Sequence, residues 1–368
     1  MEKRKAAVII ADTGFSPDSL AGATRILGVY DLVQRRCVIG NPYVTDATDL
    51  GAIAGDPHKH GSFVLKALTA LDPDVPVVLI RSHDPEEGII RTTWRQGKPV
   101  SDGWTEAYLW AVRLCQLHGL ASVANFSFGR VFHAADGTGW DAFQFAKVVG
   151  EGKPGHVIVA ASGPGDGRAA HAAFSAVDNT ATAIAVQQSE TTSYNFWTKV
   201  NGAVDENSSD AQEDWILEVW RGGSLVFRQD GAQVPVNFWN GRKQLQFTLE
   251  GEGRVTLVVK LKDGASGERG FECWLATGNA RFLDHVDDTY IVEPAAFPSV
   301  IAVGLKAGNY SSAQKLPGCK PDVLIDGGGP ISFRLPEVVV KVVRILEDNP
   351  SLDAIQVKAL LGKYPVLS

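Results

Sequence analysis

The sequence predicts an α/β protein: a doubly wound parallel sheet interrupted by an inserted antiparallel β-sandwich or jelly roll. Three observations predict this. Residues 1–169 alternate short apolar strands with helical patterns, residues 170–288 change to a two-residue period, and residues 289–368 return to the first pattern. With 368 residues the chain is long for one simple core, so about two lobes are expected from length alone.

In the first part Ala6–Ala11, Pro76–Arg81, Ser122–Asn125 and His156–Ala161 are short apolar runs, several rich in β-branched residues, and read as strands. Between them Gly61–Leu71, Thr105–His118 and Trp140–Val149 carry apolar residues at helical spacing. Strands that are apolar throughout belong in a parallel sheet with helices on both faces. From residue 170 the runs Trp215–Trp220, Gln244–Leu249 and Val255–Lys260 alternate apolar and polar residues, with Gly- and Asp-containing turns between such runs. That pattern predicts antiparallel strands in a sandwich or jelly roll. Trp197, Trp215, Trp220, Trp239 and Trp274 lie here; they can pack as core or form a sugar-stacking platform, and the apolar area of each indole favours core. The last part supplies strands at Ser299–Gly304 and Pro321–Ile325, then helices at Leu335–Glu347 and Ser351–Lys363 separated by Asn349-Pro350.

The net charge of −7 and the lack of a lysine or arginine cluster on the scale of a phosphate-tracking surface argue against a nucleic-acid partner. No membrane span is expected, since His156–Ala161 and Val338–Leu346 are far shorter than the roughly 20 residues a spanning helix needs. The opening MEKRKAAVIIADTG runs into Asp12 without a small-residue cleavage site and reads as the first strand rather than a leader. Cys37, Cys115, Cys273 and Cys319 are widely separated, with no CxxC pair, so four buried free thiols and a reducing, cytoplasmic location are expected.

Three segments carry the chemistry. Asp12 ends an apolar strand in AVIIADTG, at the edge where open α/β sheets place their sites; alone, it reads better as a residue closing a turn. His60 in GDPHKHGSFV stands at a helix start, and Gly61 permits close backbone approach. His58 and Asp56 could join His60 around a metal, but no third and fourth ligand follow at matching spacing, and no metal or cofactor is called for. Ser332 follows Gly327-Gly328-Gly329 and precedes an apolar helix with Pro336 in its first turn. A serine there is ordinarily a cap worth about 1 kcal/mol, yet the same position suits a nucleophile whose adduct becomes an oxyanion. Asp, His and Ser together are the carboxylate, base and nucleophile of a serine hydrolase.

With their surroundings these segments resemble the subtilisin-like serine peptidases, the subtilase family. IADTG looks like the family's Asp motif, and HGSFVLKAL its His motif with Ser62 and Phe63 in place of Thr and His. Ala124–Gly129 (ANFSFG) is similar to a substrate-binding segment, HVIVAASGPGDG to the strand leading to the oxyanion residue, and Phe297–Gly304 to a further family strand. Pro330–Pro336 retains the serine of the family's Ser motif and the proline four residues on, and NPSLDAIQVKALL resembles the family's C-terminal helix. Removing residues 170–288 leaves His60 and Ser332 at a separation ordinary for a compact catalytic domain. An insertion there resembles that of clostridial Csp-type members.

The resemblance implies a serine endopeptidase acting on peptide or protein substrates. Ser332 would attack, His60 would move the proton and Asp12 would orient His60, while Ser127-Phe128-Gly129 and Ala161-Ser162-Gly163 would pair with substrate backbone. The inserted β region is a candidate surface for a protein partner. Phe126 and Phe128 either line a side-chain pocket or pack beneath it.

The sequence departs from the family at Pro164, where an asparagine ordinarily donates to the oxyanion, and at Pro330, Ile331, Phe333 and Arg334 around the nucleophile. Proline has no such donor, and losing one costs roughly 2.7–4 kcal/mol. Either the Ser332 N–H works with another group, such as Asp166, Asn179 or Arg334, or the chain is a pseudoprotease kept for binding or regulation. Retention of all three triad residues favours the first. A strand starting near residue 6 leaves no family-like prodomain before Asp12, so folding without one, or a processed chain, is expected.

Overall fold

Ala6–Asp12 is buried along its whole length, and a strand without a polar face must be covered on both sides. The computed structural model describes residues 4–39, 55–84, 88–89, 93–95, 98–101, 103–129, 131, 134, 136–163, 169–178, 180–199, 214–265, 267–275, 280–287, 291–308 and 320–361.

In chain order the first part comprises β1 (Ala6–Asp12), α1 (Pro17–Ala21), β2 (Ile26–Asp31), β3 (Arg36–Ile39), α2 (His60–Leu71) and β4 (Val77–Arg81). Two short hairpins follow, β5 (His83–Asp84) with β6 (Gly88–Ile89) and β7 (Thr93–Arg95) with β8 (Lys98–Ser101). Then come α3 (Trp104–Leu117), β9 (Ala121–Phe126), α4 (Trp140–Phe145) and β10 (His156–Ala161). The alternating region forms β11 (His171–Ala176), β12 (Thr182–Gln188), β13 (Thr192–Thr198), β14 (Trp215–Arg221), β15 (Ser224–Asp230), β16 (Gln244–Leu249), β17 (Gly253–Leu261), β18 (Arg269–Leu275) and β19 (Arg281–Phe282). The chain ends with β20 (Ile301–Leu305), β21 (Val323–Ile325), α5 (Leu335–Asp348) and α6 (Ala354–Leu361).

The main sheet has the order β21-β20-β10-β9-β1-β4-β2-β3, parallel except where β3 returns against β2. Helix α5 buries Val338, Val339, Val342, Val343, Ile345 and Leu346 and packs on β1, β9, β10 and α2, while α3 packs across β1, β2, β4 and β9. The register pairs Ala11 with Phe126, and Phe126 with Ala160, so Asp12, Ser127 and Ala161 emerge side by side at the carboxyl edge of the sheet.

Between β10 and β20, which pair directly, the chain leaves this sheet. It builds two antiparallel sheets, β11-β18-β13-β16 and β15-β14-β17-β12-β19. Phe174, Phe196 and Phe271 from one and Ile184, Leu217, Val219 and Leu257 from the other share a single apolar core. Of the five tryptophans expected as core, Trp197, Trp215 and Trp274 are buried, whereas Trp220 and Trp239 are half-buried. Trp197 and Trp274 lie outside that shared core, in a smaller cluster with Ala134, Ala170 and Val292 that joins the β region to the α/β part.

Arg242 ties the same junction. Its buried guanidinium donates to Ala134 O at 2.9 Å, Asp136 Oδ2 at 2.7 Å, Glu272 Oε2 at 3.1 Å and the Thr198 carbonyl.

Three sequence expectations are corrected. Helix α4 stops at Phe145, short of Val149, and turns lead to Gly150 at φ +140°. Helix α6 starts at Ala354 rather than Ser351, because Asp353 and Gln356 form a reciprocal capping box: Gln356 N donates to Asp353 Oδ1 at 2.9 Å and Asp353 N to Gln356 Oε1 at 3.0 Å. Cys37 is exposed, being on β3 at the sheet edge; Cys115 and Cys273 are buried free thiols, and Cys319 lies outside the described residues.

Breaking a buried, hydrogen-bonded ion pair by removing one partner costs roughly 3 kcal/mol. Arg242→Leu is therefore expected to lower the unfolding free energy by about that amount, read from denaturant unfolding. A loss below about 0.5 kcal/mol, the scale of an ordinary surface substitution, would show that the junction does not depend on this contact.

Candidate active site

Asp12 is the last residue of β1 and only 1% exposed. Its Oδ1 accepts from the Thr13 N–H at 2.7 Å and faces His60 Nδ1 at 2.6 Å. A carboxylate this buried needs such partners, and the short contact makes Nδ1 the protonated nitrogen, leaving Nε2 with the lone pair when the ring is neutral. The Asp12 carbonyl is held from below by Ser82, through N–H at 2.8 Å and Oγ at 3.1 Å.

His60 opens α2 directly after Lys59, which sits at φ +61°, a conformation uncommon outside glycine. Lys59 offers no side-chain cap; Asp56 does the capping instead. The Asp56 carboxylate accepts from Ser62 N at 2.9 Å, Ser62 Oγ at 2.6 Å and Thr13 Oγ1 at 2.8 Å, and Thr13 Oγ1 in turn accepts from Gly61 N at 3.0 Å. This network fastens the start of α2 to the end of β1. Gly61 is required by the closeness: a Cβ there would lie 2.3 Å from the Gly14 carbonyl oxygen and 2.9 Å from Asp12 Cβ. Of the three side chains considered for a metal, Asp56 is thus engaged with Thr13 and Ser62, and His60 Nδ1 with Asp12.

The hydrogen bond from Asp12 raises the His60 pKa above its ordinary value; burial opposes this, and the charges of Asp12 and Asp56 add to it. His83 lies nearby with its Nδ1 2.9 Å from Ser82 Oγ and its ring edge-on to Phe128 at 5.4 Å, and burial lowers its pKa.

Ser332 does not cap α5. It occupies a short 3-10 turn, Ile331–Phe333, and the cap position of the helix belongs to Arg334. The Ser332 hydroxyl donates to the Ser127 carbonyl at 3.1 Å, the Ser127 hydroxyl donates to the Ser332 carbonyl at 3.1 Å, and Asn125 Nδ2 donates to Ser127 Oγ at 2.9 Å. Phe333, next in the chain, stands 5.6 Å from the His60 ring and 5.6 Å from the Phe63 ring, centroid to centroid.

Phe126 is buried beneath the sheet edge, whereas Phe128 is half-buried against Trp104 and His83. Ser162 is fully buried, its N–H donating to Val303 O at 2.9 Å and its carbonyl accepting from Val292 N at 3.2 Å; Ala161 is buried and Gly163 half-buried. Val292 also packs on Gly129, where a Cβ would lie 2.1 Å from Val292 Cγ2, and so touches both segments expected to flank substrate. Arg334 is held by Glu337 through Nε and, at 3.1 Å, Nη2. Pro164, Asp166 and Asn179 lie outside the described residues.

Sequence reading passed over Asp56 as a scaffold, weighing it only as a metal ligand, and passed over Thr13, Ser82 and Asn125. The spacing of Asp56, four residues before His60, is a signal that could have found it. Thr13 and Ser82 act on partners far away in the sequence, and Asn125 on Ser127 two residues on, with no motif of their own to mark them.

Gly61→Ala is expected to lower unfolding free energy by about 1–3 kcal/mol, as for an overpacked site, measured in denaturant. Asp12→Asn is expected to bring the His60 titration, followed by NMR, down from its raised position, because the charge and hydrogen bond that favour imidazolium are removed. An unchanged His60 titration would show that the pair does not form.

No family model and no curated protein matches the sequence. Among solved structures, the CspB protease of Clostridium perfringens aligns over 98% of this chain and 87% of its own, with a TM-score of 0.71 and 16% identity. A cold-adapted subtilisin-like serine proteinase aligns over 99% and 83%, with a TM-score of 0.41 and 12% identity. At 16% identity the first likeness speaks to the fold, and it agrees with the large parallel sheet and the antiparallel sheets placed between β10 and β20. The chain has a subtilisin-like fold.

Proposed function

We propose that the protein is a serine peptidase whose triad is Asp12, His60 and Ser332. The observation that carries this reading is the 2.6 Å pair between buried Asp12 and half-buried His60 at the carboxyl edge of the sheet, with the Ser332 turn fastened to the adjoining strand exit. In the proposed reaction Ser332 Oγ attacks the peptide carbonyl carbon while His60 Nε2 takes its proton. The Ser332 N–H donates to the oxyanion that forms, with a second donor still to be identified because Pro164 brings none. His60 then gives the proton to the leaving amine, and water, activated by the same imidazole, hydrolyses the acyl-enzyme. Ser127, Phe128 and Gly129, together with Ala161, Ser162 and Gly163, would flank the substrate backbone, Gly163 being the more accessible member of its trio. Residues 170–288 are read as an inserted domain, available to a protein partner, between subtilase segments 1–169 and 289–368.

The direct test is a fluorophosphonate probe with mapping of the adduct, using Ser332→Ala as control. Stoichiometric modification of Ser332 is expected, and folded protein that remains unmodified both by this probe and by a peptidyl phosphonate would overturn the peptidase in favour of a binding role. The rate of modification is expected to rise with pH through an acid limb lying above the unperturbed histidine value of about 6.5, since His60 must lose its proton to act and Asp12 raises its pKa. Asp12→Asn should lower that rate by roughly 10⁴-fold if the carboxylate sets the tautomer.

A further inference from the structure

We propose that Ser127 and Asn125 are positioning residues which hold Ser332 in a resting state that the entering peptide backbone releases. This rests on the serine-peptidase reading above. A hydroxyl has one proton, and Ser332 gives it to the Ser127 carbonyl, so it is not directed at His60 Nε2. The arrangement is held from both sides. Ser127 Oγ donates to the Ser332 carbonyl, which fixes the Ile331–Phe333 turn, and Asn125 Nδ2 occupies Ser127 Oγ as an acceptor, so that the single Ser127 proton is left for Ser332. Asn125 is 1% exposed within β9, which anchors this chain of bonds in the core of the sheet.

The Ser127 carbonyl is also the first main-chain acceptor of the segment Ser127-Phe128-Gly129 that leaves β9. An extended peptide adding along that edge brings an N–H to it. That N–H competes with the Ser332 hydroxyl for the same carbonyl and weakens its hold, and Ser332 Oγ turns about its Cα–Cβ bond to another staggered position, facing His60. Its proton then passes to His60 Nε2 as Oγ attacks. The nucleophile is therefore armed by the main chain of the substrate, and a small electrophile lacking an amide meets it in the resting state.

The test uses the full chain and two peptidyl diphenyl phosphonates with an alanine-like residue beside phosphorus, identical except that one is N-methylated at the amide adjacent to phosphorus. Each reacts when Ser332 Oγ bonds to phosphorus, phenoxide leaves and the proton passes to His60. The maximal inactivation rate at saturation, separated from the half-saturating concentration, is expected to be about three- to tenfold lower for the N-methyl probe, the scale of one neutral hydrogen bond. Ser127→Ala keeps the main-chain carbonyl but loses the bond that fixes the Ile331–Phe333 turn, so the hold on the Ser332 hydroxyl loosens and this ratio of maximal rates should fall, while Ser127→Thr, which keeps the side-chain hydroxyl, should restore it. A merely structural role for Ser127 would move both probes together and leave the ratio intact. Equal maximal rates in the wild-type protein, or a ratio unchanged in Ser127→Ala, would overturn the positioning role while leaving the peptidase standing. Absence of modification at Ser332 by either phosphonate and by a small alkyl fluorophosphonate, in folded protein, would overturn both. Should Ser127→Ala fail to fold, the wild-type comparison of the two phosphonates decides.

Discussion

A carboxylate at 1% exposure cannot remain charged without partners, and the rest of the site is arranged around that demand. Asp12 ends the central strand, and its Oδ1 receives both the Thr13 N–H and His60 Nδ1. Holding the imidazole there requires the start of α2 to lie against the end of β1, closer than any side chain at position 61 would permit. Asp56 secures that approach by bonding Thr13 on one side and Ser62 on the other. One buried charge thus dictates a glycine, a threonine, a second carboxylate and the direction of a helix.

Ser332 comes from a distant part of the sequence, and the sheet explains how it arrives beside Ser127. Helix α5 lays a valine-rich face across β1, β9 and β10, which puts the turn before it at the carboxyl edge where Asp12 and Ser127 emerge. The β region lying between β10 and β20 meets this part through Trp197, Trp274 and Val292 and through Arg242. Val292 couples that junction to the cleft, since it touches Gly129 and bonds Ser162. Packing of the β region and the placement of Gly129 and Ser162 are therefore linked by a single residue.

Much of this was legible in the sequence, for physical reasons that differ by element. Ala6–Asp12, Val77–Arg81 and His156–Ala161 could be read because strands buried on both faces must be apolar throughout. The alternation at Trp215–Arg221 and Gln244–Leu249 reported strands with one face in a shared core. Strand β3 went unread because Arg36–Ile39 is short and largely exposed at the sheet edge, so it carries neither signature. Asp12 and His60 were legible from their motifs, and their contact is present at 2.6 Å. The direction of the Ser332 hydroxyl was not, since it depends on a carbonyl 205 residues away and on Asn125 inside a strand. Periodicity and motif spacing say nothing about which of two acceptors a hydroxyl faces.

A crystal structure of the alanine-like peptidyl phosphonate bound to the protein decides whether Ser332 reaches His60 as the proposed triad requires. Phosphorus bonded to Ser332 Oγ, His60 Nε2 within hydrogen-bonding distance of the adduct, and the peptide N–H on the Ser127 carbonyl are expected of that triad. A phosphonate bound elsewhere, or a Ser332 hydroxyl still donating to Ser127 beside an intact inhibitor, would contradict it.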